Sequence, residues 1–145
     1  MGTAAGAPRV QPHIAIASAF NAGAPNTIYQ TTNAGSPTPL PYDLLLWDEQ
    51  GAPLLDVTAR QIGPHNAILV QGNRAVGRIR IETPPGARRQ QLFTQAPSFL
   101  VNSPVVGVPA GRLTVFFVAG EIPGEYVLRF QLSGRDTVET FVAAH

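Results

Sequence analysis

Residues 125–132, Glu-Tyr-Val-Leu-Arg-Phe-Gln-Leu, decide the fold class of this chain. Two sets of side chains alternate along this stretch: Tyr126, Leu128, Phe130 and Leu132 on one side, and Val127, Arg129 and Gln131 on the other. Because successive side chains of a strand point to opposite faces, the alternation predicts a half-buried β-strand. Thr137–Ala143 follows after the turn at residues 133–136, and the two runs predict a closing antiparallel meander.

Short apolar or β-branched runs between turn residues recur throughout the chain, and helical periodicity is absent. The chain has 14 Pro and 14 Gly, spread so evenly that little room remains for helices. We therefore predict an all-β fold, an antiparallel β-sandwich or barrel with Greek-key or jelly-roll connections. The other strands predicted in this body are Tyr42–Trp47, Leu54–Ile62, Ala67–Gln71, Ala75–Glu82, Gln91–Thr94, Phe99–Val101, Val105–Val108 and Leu113–Ala119.

Two of the connections predict tight hairpins. Asp48–Gly51 joins the first two of these strands, and Gly72-Asn73 joins the next two; glycine suits the positive φ that such turns need. Leu113–Ala119 is apolar on both faces, which is typical of a central strand or of one covered at a subunit interface. Trp47 follows a run of leucines and is expected in the core or at the edge of an interface.

Residues 1–41 differ from the rest of the chain, because Arg9 is their only charged residue and prolines interrupt them. We predict that they form an extended arm ahead of a β-sandwich domain at residues 42–145. His13–Phe20 and Asn26–Thr32 are predicted to form a loose hairpin in this arm; the alternative is that they fold back as the first two strands of the sandwich. The arm carries the kind of apolar side chains that anchor a strand on an exposed sheet edge, and these candidate interface residues are Ile14, Ile16, Phe20, Ile28 and Tyr29.

The loop between residues 82 and 90 contains a Pro-Pro-Gly sequence and ends in Arg88 and Arg89. Paired arginines suit docking on the carboxylates of a partner, since each guanidinium can donate two parallel hydrogen bonds. These two residues complete the candidate interface. The other interpretation is an ordinary solvated loop.

Composition limits the classes of function. The chain has 145 residues and a net charge of +1, and its longest basic run is Arg88–Arg89, so no nucleic-acid partner is expected. The absence of cysteine excludes disulfides, thiolate metal sites and a thiol nucleophile. No window of about 18 apolar residues predicts a membrane span, and no secretory signal sequence is recognised.

No residue set indicates catalysis. The three histidines, His13, His65 and His145, lie far apart in the sequence, and none stands in a motif with a carboxylate and a nucleophile. His65 is in the turn Gly63–Asn66, where turn geometry alone accounts for its surroundings. We expect a protein that is not an enzyme and that has no metal and no cofactor.

An all-β body of this size, a low-charge leader such as Gly2–Phe20, and the lack of Cys, Lys and a signal sequence resemble the capsid decoration (cementing) proteins of tailed bacteriophages. That resemblance implies a homotrimer on the outside of the virion, made in the host cytoplasm, with arms that reach neighbouring subunits. The implied partner is the major capsid protein, and the implied function is stabilisation of the capsid. The composition suits a thermostable protein of a hot source and equally a GC-rich genome.

A second hypothesis belongs to another class of protein. The stretch from Gly124 to Phe130 resembles the closing strand of immunoglobulin-like modules, with its Gly-x-Tyr-x-Leu pattern. This likeness implies a monomeric adhesive or ligand-binding module of a bacterial surface protein. A small β-barrel or cupin-like enzyme is the third class. This chain lacks the histidine and acidic ligands expected of such an enzyme.

Overall fold

The computed structural model describes residues 13–16, 27–48, 50–94, 99–102, 107, 109–132 and 137–145. These residues contain strands and turns but no helix, so the predicted all-β class is confirmed. The strands are β1 (His13–Ile16), β2 (Thr27–Thr32), β3 (Leu40–Trp47), β4 (Val57–Gly63), β5 (Asn66–Gln71), β6 (Arg74–Glu82), β7 (Gln91–Thr94), β8 (Phe99–Asn102), β9 (Pro109–Val118), β10 (Gly124–Leu132) and β11 (Thr137–Ala144).

The first sheet has five strands and is centred on β3 and β9. Its order is β1-β3-β9-β7, and β8 also pairs with β9. Strands β7 and β8 share one edge of β9, because Gln91–Thr94 pairs with its second half and Phe99–Asn102 with its first half. As predicted from its apolar composition, β9 is a central strand.

The second sheet has six strands in the order β2-β11-β10-β6-β5-β4. All neighbours are antiparallel except β2 and β11, which run parallel from Thr27 opposite Glu139 to Thr32 opposite Ala144. At the centre of this sheet β6 approaches β10 closely at Gly77, where a Cβ atom would lie 2.4 Å from the Gln131 carbonyl oxygen. Only glycine fits this position without a backbone shift.

The core lies between the two sheets and consists of the apolar side chains that alternate along the strands. The face predicted for the core in β10 is confirmed, since Tyr126, Leu128, Phe130 and Leu132 are all buried. On the opposite face Arg129 and Gln131 are half-buried, but Val127 is only 6% exposed, so the alternation in burial is incomplete there. The side chains of the core face meet Tyr42, Leu44 and Leu46 of β3 and Leu113, Val115 and Phe117 of β9. Burial of this apolar surface is the main force that holds the sheets together.

A smaller apolar cluster lies on the other face of β3. Leu45 and Trp47 are buried there with Ala110 of β9, and Val101 of β8 packs against them. Trp47 is only 2% exposed, so the expectation that it belongs to a core is confirmed. The second face of the five-stranded sheet is therefore partly apolar and covered.

One predicted hairpin forms only at its turn, and another is wrong. Around Asp48 the chain pairs antiparallel with itself, since Trp47 bridges Pro53 and the Leu54 amide donates to the Leu46 carbonyl at 3.1 Å. The turn at Asp48 forms, with its carboxylate accepting hydrogen bonds from the amides of Gln50 and Ala52 at 2.9 Å, but β3 and β4 then enter different sheets. The hairpin predicted for His13–Phe20 and Asn26–Thr32 does not form, because β1 joins β3 and β2 joins β11. In the residues that the structure describes, both runs are instead strands of the sandwich, which is the alternative prediction. Turn chemistry fixes the local bend, whereas the sheet that a strand joins depends on distant partners.

Most of the other local predictions agree with the structure, although β4 begins at Val57, three residues after the predicted start at Leu54. The hairpin at Gly72 forms between β5 and β6, with a φ of 62° at that glycine. β10 and β11 pair antiparallel, and β7 and β8 are short strands close to the predicted ranges. The predicted strand Val105–Val108 falls mostly outside the described residues.

One edge of the six-stranded sheet is closed by side chains. At the β4 edge, Gln61 accepts a hydrogen bond from the Leu92 amide at 3.0 Å and donates to the carbonyls of Gly63 at 2.9 Å and Gln90 at 3.3 Å. Gln90 is buried and donates to the Pro64 carbonyl at 2.7 Å. These amide side chains join β4 to β7 and thereby link one edge of each sheet.

Candidate functional site

The structure places the predicted interface residues in separate parts of the molecule. In the backbone register, Ile14 is opposite Leu46 and Ile16 is opposite Leu44, so β1 is paired within its own chain. Ile28 is opposite Thr140 of β11, and Phe20 lies outside the described residues. Of the apolar candidates, Tyr29 is therefore the one whose side chain can be assessed.

Tyr29 lies on the outer face of β2 and is 68% exposed, the largest exposed fraction among the large hydrophobic residues described. Its ring stacks on Phe141, with 5.2 Å between ring centroids and 12° between ring planes. The parallel register positions this pair, since Tyr29 and Phe141 are direct partners in the ladder. Stacking fixes the ring at the surface instead of folding it into the core.

A shallow depression of about 530 Å³ adjoins this pair. Leu40, Phe141 and Ala143 contribute apolar side chains to its lining, and Glu125 contributes a carboxylate. We call Tyr29, Phe141, Ala143 and Leu40 the Tyr29 surface. It combines an exposed aromatic ring with a concave apolar area, the composition found at the centre of many protein interfaces.

Strand β2 is also the last strand of its sheet. Within the part of the chain that the structure describes, no strand pairs with its outer edge. Its sequence, Thr-Ile-Tyr-Gln-Thr-Thr, contains no charge and no proline, the features with which edge strands usually prevent further pairing. The Tyr29 surface therefore adjoins a backbone edge that can accept another strand.

Arg88 and Arg89 are exposed and lie apart from the Tyr29 surface. Arg89 donates to Glu121 at 3.0 Å, with both side chains largely exposed, and its backbone has a φ of 66°. The loop passes close to the β9–β10 connection at Gly120, where a Cβ atom would lie 2.3 Å from the Arg88 carbonyl oxygen. The absence of a side chain at Gly120 permits this contact. An exposed pair of this kind contributes about 0–1 kcal/mol, so the loop geometry owes more to backbone contacts than to charge.

Three charged side chains bridge the outer face of the six-stranded sheet. Arg129 of β10 donates to Glu139 of β11 at 2.7 Å and also to Glu82 of β6. The hydrogen bond to Glu82, followed by that to Glu139, raises the pKa of Arg129 above its ordinary value. One oxygen of each carboxylate is thus hydrogen-bonded by Arg129.

His65 and His145, whose side chains the structure describes, lie in different places and have different surroundings. His65 lies 3.2 Å from the Ile81 carbonyl through Nδ1, and its own carbonyl accepts from the Ile81 amide at 2.8 Å, so the residue fixes the β4–β5 turn. His145 is exposed at the end of the chain. No cluster of three or more His, Asp or Glu side chains with metal-binding geometry occurs among the described residues.

Sequence reasoning missed Phe141 and the glutamines of the closed edge. Val138 and Val142 lie an even number of residues apart and share the buried face, whereas Phe141 lies at an odd spacing from both. Its position on the outer face could therefore have been predicted. Gln61 and Gln90 carry no such signal, because a polar residue near the end of a strand ordinarily indicates solvent.

Comparison with known proteins leaves the family open. No protein-family model matches the chain, and no curated protein matches it significantly. In the described part of the chain, no helix is both long and apolar enough to cross a bilayer.

Proposed function

We propose that this chain is a structural protein that binds other protein subunits through β2 and the Tyr29 surface. The observation that carries the proposal is that β2 is an uncharged edge strand and that its Tyr29 side chain is 68% exposed. A capsid decoration protein, binding the outside of a viral capsid and reinforcing it as a homotrimer, is the form of this function that the sequence resemblance implies.

Two physical features support binding at this place. An added strand would satisfy the outward backbone groups of β2, as in other cases of strand addition at sheet edges. The ring of Tyr29 is already ordered by Phe141 at 5.2 Å, so a partner that covers it loses little side-chain entropy. Repetition of such a contact round a trimer would multiply weak attachments to a capsid.

Light scattering after size-exclusion chromatography tests the self-association part. Tyr29→Lys places a charge on the Tyr29 surface, and we expect it to reduce the mass of an oligomeric wild type to that of the monomer. Ile62→Lys is the matched control, because Ile62 is also a large exposed hydrophobic residue, 60% exposed, but lies on the closed β4 edge. A monomeric wild type, or equal effects of the two variants, would contradict self-association through β2.

Immunogold electron microscopy tests the capsid part separately. Phage particles from a lysate of cells that naturally make the chain should carry regular label on the head. Label confined to other fractions would rule out decoration of the capsid and leave self-association standing.

An immunoglobulin-like adhesive module is the second candidate, and one contact favours it. The hydroxyl of Tyr126, at the start of β10, donates to the carbonyl of Ile122 at 2.7 Å, four residues earlier. This arrangement resembles the tyrosine corner of immunoglobulin-like sandwiches. A strictly monomeric chain that attaches to cell surfaces would favour this candidate over the structural one.

A further inference from the structure

The outer face of β4–β6 carries a group of arginines that the proposed β2 contact does not use. Arg60 lies on β4, and Arg78 and Arg80 lie on β6; all three are exposed. We call these residues the arginine face. Arg60 and Arg78 are both opposite Ile68 of β5, whereas Arg80 is opposite Asn66. The three side chains thus project from one surface.

The spacing of this group follows from sheet geometry. Arg60 and Arg78 are two strand spacings apart, about 10 Å between Cα atoms, and Arg78 and Arg80 are separated by about 7 Å along β6. None of the three forms an ion pair with any residue that the structure describes. The nearest acidic residues across the sheet, Glu82 and Glu139, are both bound to Arg129.

The three positive charges of the arginine face therefore exceed the single net negative charge of the neighbouring triad, in which two carboxylates share Arg129. Arg80 is directly opposite Arg129 in the register, and those two carboxylates offset the repulsion between these like charges. The chain has 10 basic residues against nine acidic ones, so the face is a local excess and not a reflection of a basic protein. Such an excess favours an anionic partner.

Apolar groups lie between the arginines. A depression of about 460 Å³ is lined by Ile62, Ile68, Gly77, Arg78 and Gln131, and Ile62 is 60% exposed. Arginine next to exposed aliphatic side chains is typical of protein interfaces. Binding of single-stranded nucleic acid, by contrast, usually needs aromatic rings among the basic groups. The nearest exposed aromatic side chain described, Tyr29, lies on β2, three strands from β6.

We infer that the arginine face docks an acidic protein segment, in which Asp or Glu carboxylates alternate with apolar side chains. The guanidinium groups would bind the carboxylates in a bidentate manner, and Ile62 and Ile68 would cover the apolar side chains. This docking surface is separate from β2 and does not depend on the oligomer proposed above.

Fluorescence anisotropy with a labelled oligo-glutamate peptide tests the inference on the full chain at low salt. We expect the triple variant Arg60→Gln/Arg78→Gln/Arg80→Gln to bind at least about tenfold more weakly than the wild type. Arg74→Gln is the control for charge, since Arg74 lies in the β5–β6 hairpin at the far end of β6 and hydrogen-bonds Gln71 at 3.4 Å. Denaturation curves of each variant establish that it is folded.

Three outcomes would overturn the inference. The wild type fails to bind the peptide at low salt, or the triple variant binds as well as Arg74→Gln, or a single-stranded DNA oligonucleotide binds more tightly than the peptide and depends on the same arginines. The last outcome would assign the face to nucleic acid. Tyr29→Lys should bind the peptide like the wild type, which separates this test from that of the proposed function.

Discussion

The two edges of the six-stranded sheet differ in how they are finished. At the β4 edge, Gln61, Gln90 and Thr94 supply hydrogen bonds that join it to β7 of the other sheet. At the β2 edge the strand is uncharged, pairs only on its inner side in the described structure, and presents Tyr29 outward. Side-chain hydrogen bonds thus close one edge of this sheet, whereas no described strand or side-chain network covers the other, where association is proposed.

Of the two edges, the closed one should contribute more to stability, and Gln61→Leu should have the largest effect among the substitutions at the edges and on the outer face. This change keeps the size of the side chain but leaves the Leu92 amide and the Gln90 carbonyl without their partner. Loss of such partly buried hydrogen bonds costs about 1–3 kcal/mol. Chemical denaturation measures the loss, and Thr58→Val, an exposed position on the same strand, should change stability by less than about 0.5 kcal/mol. Equal effects of the two variants would mean that the glutamine does not close the edge.

Tyr42 of β3 is buried in the core between the two sheets, where its ring packs against Phe130 of β10. Burial raises the pKa of its phenol above the ordinary value. Burial raises the pKa of Tyr126 as well. The folded chain therefore keeps protons that the unfolded chain releases, so stability is complete below about pH 10 and falls as pH rises further.

For Tyr42 the slope should approach about 1.4 kcal/mol per pH unit above pH 10. Urea denaturation at about pH 9 and about pH 11 measures it, and Tyr42→Phe should make the decline less steep. If the variant and the wild type lose stability in parallel, ionisation of Tyr42 does not limit the alkaline stability of the fold.

The difference between the edges also explains how much of the fold could be predicted. Alternation in β10 identifies the buried face correctly, because a half-buried strand imposes that pattern locally. Nothing local reports that β2 lies parallel to β11 or that the chain changes sheet after Asp48, since those outcomes depend on partners distant in sequence. For the same reason the closed edge could not be predicted, because Gln61 and Leu92, which share a hydrogen bond there, are 31 positions apart in the sequence.

The candidate surface was predictable only in part. Tyr29 is predicted as an anchor because it stands in an uncharged, β-branched run. This prediction does not depend on which strand β2 pairs with. Its partner Phe141 required knowledge of the register. Alternation along Ala75–Glu82 predicts that Arg78 and Arg80 share one face, but nothing local predicts that Arg60 joins them across β5.

The smallest effect is expected from the charged triad on the outer face, which separates the two edges. Glu139→Gln removes one carboxylate from Arg129, and Arg129 keeps its contact with Glu82. Because these side chains are partly exposed, water and salt screen the attraction, and the loss should be about 0.2–1 kcal/mol. One glutamine at the closed edge should thus matter more than one carboxylate of the ion-pair network. Denaturation of Glu139→Gln at low and at high salt measures the difference, which should shrink as salt is added. If Glu139→Gln lowers the free energy of unfolding more than Gln61→Leu does, the charged triad stabilises this sheet more than the closed edge, contrary to this prediction.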